Sequence, residues 1–423
     1  MSAGPAGGAG VRVPGHPDPA TRRARVAVAV LFLVNGAVIA NVVPRIPEVK
    51  DALGLSNTAL GLALAAFPLG ALLAGPAVTA VVARWGSARV AVGATLLTAA
   101  DVLVVAQARS WAVLAAGFLL AGMLDVAADV AQNAQGMRVQ RIYRRSILNA
   151  LHGVWSIGAV AGGGLGALAA GAGVPLTLHL AAVAVVFGGL TLAASVHLLP
   201  GRDPAPPSST GAQAHGAGMP GRRRAVLVLL LPLGLIATFA AVLEDSAASW
   251  GAVYLRGELG TGPAVAGLAF IALQGAQTVG RLAGDRTVTR WGEARVARAG
   301  GLLAAAGATV ALLAPVPAVA VAGFGAAGLG VATLIPSAMR VADDLPGLPR
   351  GAGLTVISSM FRIGGLLSPP LVGAVADAHG LRVGLAAVPL AGLAAAVLAR
   401  FLAPRPPSSP AATAGPMNIT DMP

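Results

Sequence analysis

Twelve runs of about twenty mostly apolar residues, most of them separated by short turns, restrict this chain to one kind of fold. A helix rises 1.5 Å per residue, so about 20 residues reach across a hydrocarbon core ~30 Å thick. The runs lie at 26–46, 57–83, 89–108, 111–137, 146–172, 174–198, 226–252, 262–284, 294–314, 317–339, 350–376 and 382–403. Lipid offers no hydrogen bonds, so each backbone amide must be paired within its own segment, and runs of this length fold as α-helices. Only 11% of the 423 residues are charged, where a soluble domain carries roughly 25%. The expected class is therefore an all-α integral membrane protein. The 57 glycines and 30 prolines fit it, since both residues are commoner in membrane helices than in soluble ones. With no cysteine, disulfides, thiolate metal sites and cysteine nucleophiles are excluded.

The longest interruption, 199–225, is rich in Pro, Ser, Gly and Ala and ends in three arginines at 222–224. It reads as a flexible linker between two six-helix bundles, 26–198 and 226–403. Residues 1–25 and 404–423 have a similar composition and read as disordered tails. Arg22 and Arg23 precede the first run as in a twin-arginine signal. That run is long enough to span and more spans follow, so it reads as a retained first helix.

If the runs alternate direction, most arginines fall on one side. Arg22, Arg23 and Arg25 precede the first run. Arg84 and Arg89 lie in turn 2–3, and Arg138, Arg141, Arg144 and Arg145 in turn 4–5. Arg286, Arg290, Arg295 and Arg298 flank turn 8–9. The positive-inside rule then puts both termini in the cytoplasm, with the chain in the cytoplasmic (inner) membrane. The net charge of +13 is read as this topological signal rather than as a nucleic-acid surface.

Residues 84–91 read RWGSARVA and residues 290–297 read RWGEARVA, seven of eight positions matching at an offset of 206. The same offset aligns Leu53-Gly54 with Leu259-Gly260, Gly61-Leu62-Ala63 with Gly267-Leu268-Ala269, and Ile157-Gly158 with Ile363-Gly364, without a gap. Duplicated six-helix units with parallel orientation are expected, an arrangement that supports alternating access around a site near the midplane.

Twelve spans, a 6+6 parallel repeat and a basic central linker resemble the major facilitator superfamily. Both RWG blocks look like degenerate copies of its loop signature, in which the acidic position is Ala83 in one copy and Thr289 in the other. A closer resemblance is to a bacterial branch near the fucose-permease-like sugar carriers, which reads DVAMNAQ, H-G-x-W-S-x-G, D-W-S-x-x-Y-L and G-D. Here those segments are Asp129–Gln135, His152–Gly158, Ser249–Leu255 and Gly284-Asp285, with Gln132, Ser249 and Gly251 departing from the pattern. The resemblance implies a solute carrier.

Ionisable groups at membrane depth cost roughly 2.5–3.5 kcal/mol on insertion scales, which makes them functional candidates. Asp125 and Asp129 are four apart on one helix face, with Gln132 a turn further. Their counterparts at the repeat offset are Val331 and Ile335, so shared packing does not explain the acids. Two carboxylates close together in a low-dielectric cavity cannot both ionise cheaply, and the pair is expected to load and release protons. Glu244 and Asp245 are adjacent and point to different faces. The resemblance favours Glu244 as the third proton-coupling acid, with Asp245 bonding a neighbouring helix. Arg362 is expected to hold an anionic group of the solute or to pair with Glu244. Arg281 and Asp285, four apart, read as a local pair or gate beside Arg84 and Arg290 of the two RWG blocks. Asp101 lies on a run that packs away from the cavity in this fold.

Uncharged groups that could orient a solute are Asn35, Asn41, Asn133, Asn149, His152, Trp155, Gln274, Gln277 and Ser358; each could instead bond between helices. His152 and Trp155 share a face, and an aromatic plate beside amides suits a sugar or similar polyol. Gly158, Gly162 and Gly166, spaced by four, are expected to let two helices touch, and Pro369-Pro370 to break or bend the eleventh. No H-E-x-x-H, G-x-S-x-G or Walker motif occurs, and no metal site or cofactor is expected. The reading is a non-enzymatic single-chain carrier: a monomer whose partners are a small molecule, protons and the bilayer. Import of a sugar-like solute is favoured slightly over proton-driven efflux of amphipathic compounds, and a sensor that keeps the carrier fold is the third reading.

Overall fold

A computed structural model describes residues 18–201, 220–345, 348 and 351–403. All regular secondary structure among the described residues is helical, and twelve helices are long and apolar enough to cross a membrane. They are span 1 (Pro19–Ala52), span 2 (Asn57–Trp85), span 3 (Ser87–Ala106), span 4 (Trp111–Tyr143), span 5 (Leu148–Gly171) and span 6 (Leu176–Ser195). Then come span 7 (Leu229–Gly257), span 8 (Pro263–Trp291), span 9 (Glu293–Leu313), span 10 (Pro317–Asp343), span 11 (Ala352–His379) and span 12 (Leu381–Leu402). Most of the expected tails and linker lie outside the described residues.

Helix ends differ from the apolar runs for local reasons. Span 1 begins at Pro19, ahead of the expected bound at 26, because Asp18 caps it: its Oδ1 accepts the Thr21 N–H at 2.8 Å. Hydrogen bonds from Thr21 hold the Asp18 carboxyl below the usual range. Proline at the first helical position is pre-set for the helix and has no donor to lose. The helix containing span 7 begins at Pro220, inside the expected linker. Span 1 is broken near Asn41, passes through a short 3-10 turn at Val43–Arg45 and resumes as Ile46–Ala52. Span 11, by contrast, runs unbroken through Pro369 and Pro370. Its neighbourhood is held by the Ser368 hydroxyl, 2.6 Å from that of Ser246 on span 7. The two RWG blocks end spans 2 and 8 in the same way. Gly86 (φ 84°) and Gly292 (φ 81°) sit in a region that side chains avoid, and each donates its N–H back to Val82 or Val288.

Span 1 packs on span 5, span 2 on span 4, and span 3 on spans 4 and 6; span 7 packs on span 11, span 8 on span 10, and span 9 on spans 10 and 12. The first six and last six spans meet chiefly along two seams, span 2 with span 11 and span 5 with span 8. Helix contact in lipid needs small residues, because chain–lipid and chain–chain apolar contact are nearly equivalent. The expected glycine ladder provides this: Gly158, Gly162 and Gly166 lie directly on the backbone at Leu33, Ala37 and Asn41.

Two ends can be distinguished. The arginine-rich end carries turns 2–3, 4–5, 8–9 and 10–11. At the far end the halves close on each other. Gly61 packs on the Pro369 carbonyl, Gly267 on Ala167 and Pro44, and Gly171 on Ala264. Arg256 also approaches Asp51 to 3.8 Å there.

Candidate functional site

Between the halves lie two chambers that share Asp125. The chamber nearer the far end, about 480 Å³, is mostly apolar, with Phe67, Phe118, Phe361 and Met339 on its wall. Its polar groups are Asp125, Asp245, Ser249, Ser358 and Arg362. The other, about 720 Å³, is polar and is lined by Asn35, Asp125, Asp129, Asn149, His152, Trp155, Arg281, Asp285 and Arg340, among others. Both volumes fall in the range of small-molecule sites.

Spans 1, 4 and 5 build one wall as a connected chain. The Trp155 indole N–H donates to Asn35 Oδ1 at 2.8 Å, and Asn35 Nδ2 donates to Asp125 Oδ1 at 3.2 Å. One turn along span 4, Asp129 accepts from Asn133 Nδ2 at 2.9 Å. His152 is steered by Phe32, whose ring meets it edge-on at 5.3 Å. Arg362 of span 11 faces this wall. It has no hydrogen bond or ion pair among the described residues, and it lines the apolar chamber together with Asp125. A low-dielectric cavity thus holds Asp125 of one half against a cation of the other, with Asp129 a turn away in the adjoining chamber, and a charge or proton entering it is strongly felt.

Several expected pairings are redistributed. Arg281 and Asp285 do not pair with each other. Arg281 reaches Glu244 on span 7 at 3.6 Å, and Asp285 reaches Arg340 at 3.5 Å. Arg340 also donates to Glu293 at 2.8 Å, and the Ser337 hydroxyl bonds the same carboxylate. These contacts tie spans 8, 9 and 10 together near the arginine-rich end. Because Arg281 occupies Glu244, Arg362 has no pair with it. The adjacent Asp245 lines the apolar chamber, against Gly365. Glu244→Gln is accordingly expected to weaken the tie between spans 7 and 8. Since the pair is partly exposed, the cost is put at about 1 kcal/mol or less. A melting-temperature drop as large as that of a core truncation would contradict it.

The remaining candidates divide by helix face. Asn35, Asn149, His152 and Trp155 line the polar chamber. Asn41 lies elsewhere: its Nδ2 donates to the Ala37 carbonyl and its Oδ1 is 3.1 Å from His179 Nε2 on span 6. Asn133 is spent on Asp129, and Gln132 on Thr95 of span 3. Gln274 and Gln277 are buried, and neither lines the two chambers. Arg84 and Arg290 are exposed at the arginine-rich end, with Arg290 over the Trp291 ring at 5.9 Å. Asp101 is buried in span 3 with neither oxygen bonded among the described residues. Trp250 and Tyr254, from the segment 249–255, are buried in packing; Tyr254 donates to the Leu312 carbonyl at 3.0 Å. The three phenylalanines, Met339, Asp245 and Arg340 are among the site residues that the sequence reading did not select. Their only signal in the chain is membrane depth.

The Major Facilitator Superfamily model matches the chain twice, over residues 28–244 and 234–418. An uncharacterized transporter, y4wD, of Sinorhizobium fredii is 31% identical over 381 residues, which is 89% of this chain and 97% of that one. An MFS-type transporter of Yersinia pestis is 29% identical over 89% of this chain and 95% of its own length. Among solved structures, a point mutant of the nucleoside transporter NupG superposes with a TM-score of 0.72 at 13% identity, covering 89% of this chain and 98% of that one. A D-xylose-proton symporter superposes at 0.69, also at 13% identity, covering 90% and 98%. The chain therefore belongs to the Major Facilitator Superfamily. It is a membrane transporter with twelve membrane-crossing helices, and a carrier rather than an enzyme.

Proposed function

We propose that this carrier moves a small polar solute by alternating access and couples the movement to protons. Asp129 and Asp125 would carry the proton, and Arg362 with the Asn35–Trp155 wall would orient the solute. The reading rests chiefly on one observation: two carboxylates a turn apart line the polar chamber between the halves, and one of them, Asp125, also lines the adjoining chamber with Arg362 of the opposite half, which is unpaired among the described residues. Moving a proton on or off that pair changes the charge facing Arg362, and with it the relative stability of arrangements that bring the halves together or apart. Asn149 and His152 add further polar groups near Trp155, which supports a sugar-like solute. The substrates of the two superposed transporters, a nucleoside and D-xylose, agree in kind. The segment resemblance to the fucose-permease-like branch adds support of the same kind.

The two halves are proposed to be duplicated, parallel units, since the helix pairs of the first six spans recur at corresponding places in the last six. Both termini are placed in the cytoplasm and the arginine-rich end inside, from the arginine distribution in a bacterial inner membrane. The chain would act as a monomer, each copy having its own cavity. A second reading, efflux of amphipathic compounds, is favoured by the apolar chamber with its three phenylalanines.

The test is transport by purified protein in proteoliposomes loaded with a pH-sensitive dye, challenged with pentoses, hexoses, nucleosides and amphipathic cations. A solute-dependent proton flux supports coupling, and the class producing it decides between the two readings. If a solute exchanges across the membrane with no proton movement at any imposed gradient, coupling is wrong. If nothing binds or moves, the sensor reading gains.

A further inference from the structure

We propose that Asp377 is a carboxylate latch that holds the far end of the carrier shut, and that the span 2–span 11 seam, not the span 5–span 8 seam, sets how often that end opens. The proposal rests on the alternating-access reading above and concerns a site remote from the cavity.

The first turn of any helix has backbone N–H groups with no partner inside the helix. In span 2 they are all satisfied, but not all from within. Ser56 Oγ accepts the Ala59 N–H at 3.1 Å and the Ser56 carbonyl accepts that of Leu60 at 3.0 Å. The first two donors are satisfied from the other half of the molecule. Asp377 Oδ1 accepts the Asn57 N–H at 2.9 Å, and Oδ2 accepts the Thr58 N–H at 2.8 Å. A carboxylate there also meets the positive end of the helix dipole. Two turns of close backbone contact flank it, Gly373 on Asn57 and Gly61 on Pro369. A small rotation that separates the halves at this end must therefore break both bonds together.

The chain contains its own control. At the repeat offset of 206, Asn57 corresponds to Pro263, Thr58 to Ala264 and Asp377 to Gly171. Gly171 does pack on Ala264, so the contact is reproduced on the second seam. There, however, span 8 starts with a proline, which has no N–H to cap. The facing residue is a glycine, and no hydrogen bond joins spans 5 and 8 among the described residues. The acid stands where the helix offers donors and is absent where the first donor is missing. That match is the expected pattern if the carboxylate serves the amides. A solubilising surface charge would have no reason to follow it. Of the two seams, one must break charged hydrogen bonds to part and the other only van der Waals contact.

The absence of cysteine makes the test direct. Spin labels on Ala52→Cys and His379→Cys report the first seam, and labels on Ala172→Cys and Glu258→Cys the second, by double electron–electron resonance in nanodiscs. Asp377→Ala and Asp377→Asn are each expected to raise the ratio of long to short distances across the first seam on the order of tenfold, the size set by losing charge-assisted bonds at an exposed site. Asn57→Pro removes one donor at a position where proline suits a helix, and should give a smaller rise. In an Asp377→Ala background it should give no further rise. Distances unchanged in both Asp377 variants, or an Asn57→Pro effect of equal size with and without Asp377, would overturn the latch. The carrier reading is judged separately by wild type. If it shows both distances, and they redistribute with an imposed proton gradient, a silent Asp377 defeats only the latch.

Discussion

Asp129→Asn is expected to abolish uphill transport while leaving exchange intact. The amide keeps the shape of the carboxylate and can still meet Asn133, whose Nδ2 now donates to Asp129 Oδ1. It cannot take up or give back a proton. Proton-driven uptake should therefore fall on the order of a hundredfold, the scale seen when a group that moves a proton is removed. Counterflow, in which labelled solute exchanges for unlabelled with no net driving force, should persist and should become less sensitive to pH. Asp125→Asn should disturb both assays, because Asp125 lines both chambers and ends the Trp155–Asn35 chain. The pair of measurements separates coupling from binding. Wild-type accumulation by the Asp129 variant would end the proton role assigned to that residue.

Gly162→Leu is expected to prevent accumulation of folded protein. Gly162 sits on the backbone of Ala37, with the Ala37 carbonyl occupying the space a first side-chain carbon would need. Overpacking against movable side chains costs typically 1–3 kcal/mol. Here the obstacle is main chain in the middle of span 1, so the cost should lie at or above the top of that range. Gly164→Leu provides the comparison, because no atom lies within 4 Å of its would-be Cβ. Fluorescence-detected size-exclusion chromatography of tagged protein should show a sharp peak for Gly164→Leu and aggregate or nothing for Gly162→Leu. Equal peaks would show that spans 1 and 5 are not in contact as described.

What could be read from the sequence follows from what lipid enforces. Apolar length reveals the spans, and a four-residue glycine spacing reveals the contact of span 5 with span 1. The RWG blocks reveal two equivalent turns, because only glycine adopts the backbone angles found at Gly86 and Gly292. Facing was harder. Asn35 and Asn41 are six residues apart, about 240° around a helix at 3.6 residues per turn. They could not share a face, and the structure puts one in the cavity and the other against His179. Glu244 and Asp245 could not be assigned without knowing which way span 7 is turned. Arg281 and Asp285 had the right spacing for each other, but residues on neighbouring spans took both. Asp377 gave no signal at all, since its partners are backbone amides some 320 residues away in the chain.

The glycine contacts along span 5 also fix how span 1 sits on it. Leu33, Ala37 and Asn41 seat on three successive turns of that helix, so spans 1 and 5 have no freedom to slide or twist against each other. Asn35 and Trp155, riding on the two, should keep their 2.8 Å hydrogen bond whichever side of the membrane the cavity faces. A passenger molecule would then be gripped throughout its journey by one unchanging surface, and only the opposing groups, Arg362 foremost, would approach and withdraw.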